Sequence, residues 1–542
     1  MICCLIFLFV EVVAAIEVGL NPTANSTEHL PLLELPYGKW RAAQYDQEAD
    51  VYTFRNIRYA APPTGNLRWA KPAPPDYVSG IQDGSYGHNC IAATLPPPYD
   101  NDPVFRRLVK TGAEDCLFLD VYVPGKVIRI KKSWKLPVVF WIYGGGYLSG
   151  SKDQDLAHGL YSGTNLITRA NGNVVVVTIN YRLGAFGFLA GTTMEATALP
   201  NAGLHDQRAA LQWVQDFIHH VGGDRDNVSA WGESAGAGSI LHHLIAEGGS
   251  LDPLFHRAVV MSPGITPIID RKGQVEEMFK DFTKAAGCES QGIECLRAAN
   301  VSTLTDANEK VAIYNPMPDG RYIRRIPDVE LSEGHFWKHL DSLIVSHVVD
   351  EGESNVPNPI DPDYITNFLK GLFPSYAPDA ALTIEKLYKN TPGPPRTRAK
   401  IIFGDAIFHC HIRGMIEAYG SKAYLMQFSY PPGIHGADVP AVFYDSLRNH
   451  SVPIFSAYQS YLTSHAQTGN PNILRDPVAN PPTIKWPRVG DVNTEKIHSA
   501  INMTELGFEV IDDDKPRKSV CDVWKEVWLD VTRKGEENCY SV

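Results

Sequence analysis

Ser234 is the residue around which chemistry could be organised. It stands between glycines in Gly232-Glu233-Ser234-Ala235-Gly236, after the apolar run 227–231 and before the helical pattern 234–245. A serine on a sharp strand-to-helix turn exposes its hydroxyl, and only glycine neighbours leave such a turn uncrowded. The helix that begins there aims free backbone N–H groups at any negative charge that develops. The chemistry implied is nucleophilic attack on a carbonyl. It requires a base, an acid to orient the base, and donors for a tetrahedral oxyanion.

The donors are found first. Tyr143-Gly144-Gly145-Gly146-Tyr147 closes an apolar run, so the N–H groups of Gly145 and Gly146 can meet a ligand unhindered, and Ala235 N–H supplies a third. The plainer reading of the same glycines is a flexible turn. Tyr147 is a candidate for touching the acyl or alcohol group. Among 18 histidines, His435 stands out because Gly433-Ile434-His435-Gly436 follows a strand pattern and lets the imidazole reach over a sheet. His242 and His243 on the helix of the serine, and His409 and His411 in another helical stretch, read as packing residues. A pKa near 6.5 suits an imidazole to act as a base at neutral pH.

The elements that must position these groups alternate. Strands are expected over 117–123, 137–143, 174–180, 227–231 and 257–261, with a helix over 203–221 stopped by Gly222-Gly223-Asp224. Val174-Val175-Val176-Val177 is apolar on both faces, as a central parallel strand must be. A hairpin region over 32–59 precedes them. Mainly helical segments follow Pro267, with further strands over 343–347 and 423–428. Alternation of strand and helix predicts an α/β fold: a mostly parallel twisted sheet with helices on both faces and a largely helical insertion over the pocket. No repeat or linker divides the chain, so residues 16–542 are expected to form one domain.

A formal charge of −12 across 542 residues argues against nucleic acid or an anionic membrane as partner. Residues 1–15 read as a removable secretory signal, although no Lys or Arg precedes the apolar run and Glu11 interrupts it. N-x-S/T triplets at Asn25, Asn227, Asn300, Asn449 and Asn502 agree with secretion. Cys3 and Cys4 leave with the signal. An odd number of cysteines then remains, so at least one is unpaired or bonded outside the chain. Their spacings give no metal set, and neither metal nor cofactor is expected.

YGGGY, NYRLGAFGFL over 180–189, DQRAALQW over 206–213, GGD over 222–224 and GESAG together resemble the type-B carboxylesterase/lipase family, which includes the cholinesterases. The likeness runs from the hairpin region to residue 472, and MSPG over 261–264 looks most like the secreted fungal members. The resemblance implies an α/β-hydrolase fold and hydrolysis of carboxylic esters by a Ser-Glu-His triad through an acyl-enzyme. It assigns the acid to Glu351 in Ser346-His347-Val348-Val349-Asp350-Glu351-Gly352, with Asp350 the rival, and it matches His435 to the family histidine. It also implies disulfides Cys90–Cys116 and Cys288–Cys295, leaves Cys521 and Cys539 competing for Cys410, and places an ion pair at Arg68 and Glu114. Asp438 reads either as a support of the histidine loop or as a solvated carboxylate.

Cholinesterases carry a tryptophan between the first two cysteines for a quaternary ammonium; the stretch 91–115 has none, which argues against choline esters. Tyr99 and Phe105 could line a gorge or simply pack. Asp100-Asn101-Asp102 make the loop polar, and small to medium esters are expected over long triglycerides. A lactonase or acyltransferase would use the same acyl-enzyme. A silent binding protein would keep the fold alone.

Overall fold

Three residues of the four-valine run, Val175, Val176 and Val177, lie in a strand buried along its whole length in the computed structural model, which describes residues 30–93, 112–130, 132–153, 160–311, 315–445 and 452–539. Residues 1–15, expected to be a signal, and Pro96-Pro97-Pro98, Tyr99, Asp100-Asn101-Asp102, Phe105, Asn25, Asn449 and the Cys539 side chain lie outside the described residues.

The main sheet has 11 strands. In chain order they are β1 (Gln44–Asp46), β2 (Val51–Arg58), β3 (Phe118–Pro124), β4 (Leu136–Ile142), β5 (Val175–Ile179), β6 (Gly223–Glu233), β7 (Arg257–Met261), β8 (Ser342–Val348), β9 (Ala423–Phe428), β10 (Ile497–Thr504) and β11 (Gly507–Asp513). Across the sheet the order is β11-β10-β9-β8-β7-β6-β4-β5-β3-β2-β1. The strands from β10 to β5 pair in parallel. Antiparallel pairing is confined to β1, β2 and β3 at one edge and β11 at the other. Every residue of β5 and β8 is buried, as strands covered by helices on both faces require.

Helix α1 (Ala202–Phe217) crosses from β5 toward β6, and α2 (Ala235–Gly249) from β6 to β7. The periodic run expected to reach 221 leaves α-geometry at Phe217, finishing as a 3-10 turn that Gly222 stops with φ 75. β6 begins before its apolar stretch, at Gly223, which pairs with Leu136 of β4; the register then shifts, and pairing resumes at Val228 opposite Val138. Beyond β8 the chain is mainly helical: α3 (Tyr364–Leu372), α4 (Pro395–Gly404), a π-helical turn Asp405–His409, α5 (Cys410–Tyr419) and the terminal α6 (Lys518–Cys539). These share a second apolar cluster containing Leu369, Ile402, Phe408, Trp524 and Trp528.

Cystines join Cys90 to Cys116, Cys288 to Cys295, and Cys410 to Cys521. Arg68 and Glu114 form a bidentate pair at 2.6 and 2.8 Å, and Arg68 also donates to the carbonyls of Leu296, Arg297 and Ala299. No described helix is long and apolar enough to cross a membrane.

Candidate active site

β6 runs directly into Ser234, whose φ 55 and ψ −125 lie outside the extended and helical wells. Such a conformation costs about 1–3 kcal/mol and persists only when its surroundings enforce it. Ser234 N–H donates to Met261 O at 3.0 Å, and its carbonyl accepts from Gly238 N–H at 2.9 Å and Gly264 N–H at 3.0 Å. Close packing fixes the second glycine of the motif, since a methyl on Gly236 would lie 2.0 Å from the Ile142 carbonyl oxygen.

Ser234 Oγ is 2.8 Å from His435 Nε2, and His435 Nδ1 is 2.7 Å from Glu351 Oε2. With Nδ1–H donating to the carboxylate, Nε2 is the nitrogen that accepts from the serine hydroxyl. Glu351 Oε1 in turn accepts from Ser262 Oγ at 2.6 Å and Val348 N–H at 3.1 Å. Burial favours the protonated carboxyl, but the His435 hydrogen bond and charge, with His409 and Ser262 nearby, hold Glu351 below its ordinary value. Asp350 is turned elsewhere. It pairs with Lys400, and its N–H donates to Gly433 O at 3.0 Å, fastening the loop that carries His435.

Two further carboxylates surround the imidazole. Glu233 Oε1 lies 3.4 Å from His435 Nε2 with no hydrogen-bond partner among the described residues. Burial pushes this carboxyl up to about 8. Asp438 is fully buried and no side-chain donor reaches either oxygen; burial and the Glu351 charge raise it to about 6. The solvated alternative for Asp438 is therefore excluded. Burial would lower the His435 pKa, but Glu233, Glu351 and Asp438 more than offset it and raise the imidazole to about 9.

The glycine loop abuts Ser234, since a methyl on Gly144 would come within 2.8 Å of its Cβ. Gly145, Gly146 and Tyr147 turn it with φ of 114, 62 and 60, and Gly145 O accepts from Leu148 and Ser149 N–H. The N–H groups of Gly145, Gly146 and Ala235 meet no acceptor among the described residues. Tyr147 is 1% exposed, its ring edge-on to Phe188 and its hydroxyl 3.5 Å from Gly264 O.

The four histidines read as packing residues have partners of their own. His242 bonds Gly238 O, His243 bridges Tyr322 and Gln207, His409 bonds Asp405, and His411 lies between Ile265 O and Asp328. Among the described residues no group of three or more His, Cys, Asp or Glu could hold a metal. Sequence reasoning missed Ser262, although MSPG had drawn attention to its segment. It also missed Glu233, which occupies the variable place of the serine motif, and Phe408, which carries no motif at all.

A family model described as "Carboxylesterase family" matches residues 30–524. A secreted lipase of Arthroderma benhamiae is 49% identical over 511 residues, 93% of this chain and 94% of the relative. Carboxylesterase patB of Aspergillus clavatus is 28% identical, covering 92% of this chain and 96% of that protein. The crystal structure of Aspergillus niger EstA aligns with a TM-score of 0.77 at 27% identity, over 94% of this chain and 100% of that one.

Proposed function

The chain belongs to the carboxylesterase family, and from that premise we propose that it hydrolyses carboxylic esters through an acyl-enzyme on Ser234. The observation that carries this reading is the unbroken chain from Ser234 Oγ to His435 to Glu351, at 2.8 and 2.7 Å. His435 Nε2 takes the hydroxyl proton as Oγ attacks the ester carbonyl, and Glu351 holds the tautomer and stabilises the imidazolium. The N–H groups of Gly145, Gly146 and Ala235 receive the oxyanion. The imidazolium then protonates the leaving alkoxide, and water attacks the acyl-enzyme by the same route in reverse. Tyr147, buried behind Gly264, backs the pocket from the oxyanion side.

Small to medium esters are the proposed substrates, on the polarity of Asp100-Asn101-Asp102; the relative named a secreted lipase favours, as a second reading, longer acyl chains. A series of p-nitrophenyl esters graded by acyl length decides between them, with a maximum at short chains expected. Labelling by a fluorophosphonate and its loss in Ser234→Ala tests the mechanism. Ser234→Ala should cost several orders of magnitude in kcat while remaining folded; a folded variant with full turnover would refute the assignment. Lactone chemistry, acyl transfer and a silent binding role have no support beyond the shared fold. Residues 1–15 are proposed to be removed as a signal, leaving 16–542 as one domain in an oxidising compartment, which the three cystines fit.

A further inference from the structure

At the amino ends of β4 and β6, the edge of the sheet away from Ser234, lies a polar cavity of about 540 Å³. β6 is 11 residues long and keeps the two edges about 30 Å apart. The register shift in β6 builds one wall. Pairing with β4 breaks after Gly223 and resumes at Val228, so residues 224–227 bow out of the ladder and present Arg225 and Asp226 to solvent. The other wall is the stretch between the helical turn Gly125–Arg129 and β4, with Lys132, Ser133, Trp134 and Lys135. Gly222, at φ 75, lets the walls meet, since a methyl there would lie 2.7 Å from Val127 Cγ1 and 2.9 Å from Trp134 Cβ. His219 and His220, their ring centroids 4.2 Å apart, complete the lining.

Positive charge is left uncompensated here, in a chain whose formal charge is −12. Lys132, Lys135 and Arg225 are exposed, and none of their cationic groups has a hydrogen-bond or ion-pair partner among the described residues. Lys132 Nζ is held over the Trp134 ring, 3.7 Å from its centroid, with Lys126 Nζ 5.5 Å from the same ring. Burial first, and then the charge of Lys132, lower the Lys126 ammonium, as crowding of like charges requires. Two carboxylates stand among these cations. Asp224 Oδ1 accepts from Asp226 N–H at 3.2 Å, and the Asp226 carboxylate is exposed.

That mixture selects its ligand. A phosphodiester backbone offers only acceptors, and the two carboxylates would repel it. A flat lipid surface cannot enter a concave site. A sugar ring bearing a carboxylate offers both kinds of group: anionic oxygens for Lys132, Lys135 and Arg225, and hydroxyl donors for Asp226 and the imidazole nitrogens. We propose that this cavity binds an acidic polysaccharide through its uronate residues, tethering the protein while the opposite edge of the sheet stays open to esters. The proposal is independent of the acyl-enzyme reading.

Isothermal titration with tetragalacturonate tests it, with cellotetraose as the neutral control. The parent should bind tetragalacturonate and not cellotetraose, and raising NaCl from about 50 to about 500 mM should weaken binding about tenfold. Lys132→Glu combined with Lys135→Glu should abolish measurable binding while the protein still unfolds cooperatively near the parent's melting temperature. Trp134→Leu, which releases Lys132, should weaken binding about two- to fivefold. If the double lysine variant does not fold, Arg225→Glu on the other wall decides, with a loss of about tenfold expected. Failure of the parent to bind tetragalacturonate, equal binding of the two tetrasaccharides, or an affinity unchanged in the charge variants would overturn the proposal. Galacturonate binding as tightly as its tetramer would overturn it in favour of a small-anion site, and binding only to duplex DNA or to phosphatidylglycerol vesicles would overturn it in favour of those partners.

Discussion

His435 sits among more negative charge than a catalytic imidazole needs for orientation. In the proposed mechanism Glu351 alone fixes the tautomer, yet Glu233 stands 3.4 Å from the nitrogen that would accept the serine proton. An anion beside that nitrogen favours imidazolium, and imidazolium cannot act as the base. Activity should therefore rise with pH along a limb whose midpoint lies above the ordinary histidine value, because the neighbouring carboxylates raise His435. Glu233→Gln removes a negative neighbour, lowers the imidazole pKa and moves that limb toward lower pH. Burial raises Glu233 to about 8, so it is largely ionised over a limb that lies near 9, and the move should be about one unit or more for a charge at this distance. Profiles of kcat/KM against pH for parent and variant measure it, and coincident limbs would contradict this account. At this scale the sequence was partly legible. Ser234 and His435 could be named because glycines mark the turns that carry them. Asp350 and Glu351 are adjacent carboxylates that residue type alone cannot separate; the family resemblance favours Glu351, and the bonds of Asp350 to Lys400 and of Glu351 to His435 agree with it. Phe408 lies in a helical stretch where aromatic residues ordinarily pack, and its contact with His435 is made across the fold.

The elements explain why those residues converge. Ser234 follows β6, Glu351 follows β8 and His435 follows β9, so the carboxyl ends of parallel strands deliver all three to the same edge of the sheet. The elbow between β6 and α2 is the tightest part of this arrangement. At Gly236 a methyl would strike the Ile142 carbonyl oxygen from 2.0 Å, and no side chain is there to yield. Gly236→Ala must push α2 away from β4, carrying Ala235 N–H with it. We expect a loss of about 1–3 kcal/mol in stability together with a fall in kcat, whereas Gly264→Ala, whose methyl would meet nothing nearer than a Phe408 ring carbon at 3.2 Å, should leave the melting temperature within a degree or two. Thermal unfolding of the two variants side by side checks this, and equal melting temperatures would show that the elbow is less constrained than its contacts imply. Strands apolar on both faces, such as β5, could be read from the sequence because their burial leaves no room for polar residues. The hairpin of β10 and β11 could not. β11 is an edge strand with only Asp513 buried, and its pattern resembles a solvated loop.

Over the whole molecule, covalent additions are governed by which surfaces the fold leaves open. Asn300 is exposed, and its Oδ1 accepts from Ser302, leaving the amide nitrogen that carries a glycan free. Asn502 is 8% exposed, and its Nδ2 donates to Glu509 at 2.9 Å. Glycopeptide mass spectrometry of secreted protein should find Asn300 occupied and Asn502 bare; the reverse pattern would contradict the burial argument. The cystines differ in how much of the chain they restrain. Cys410–Cys521 spans 111 residues and ties the terminal helix α6 to α5, while Cys288–Cys295 spans 7. Restriction of the unfolded chain grows with the logarithm of the closed loop, so the longer link should stabilise by about 2 kcal/mol more. The packing points the same way. Trp524 of α6 donates to Tyr388 Oη, which donates to Asp405 Oδ2 in the turn carrying Phe408. Replacing Cys410 and Cys521 together by serine should therefore lower the melting temperature more than replacing Cys288 and Cys295 together. It should leave fluorophosphonate labelling of Ser234 intact at temperatures where the variant is folded, because the nucleophile, His435 and Glu351 stand on the sheet and not on α6. A larger effect from the short link would place the stability of the fold in the segment around 288–295, not in the attachment of its final helix.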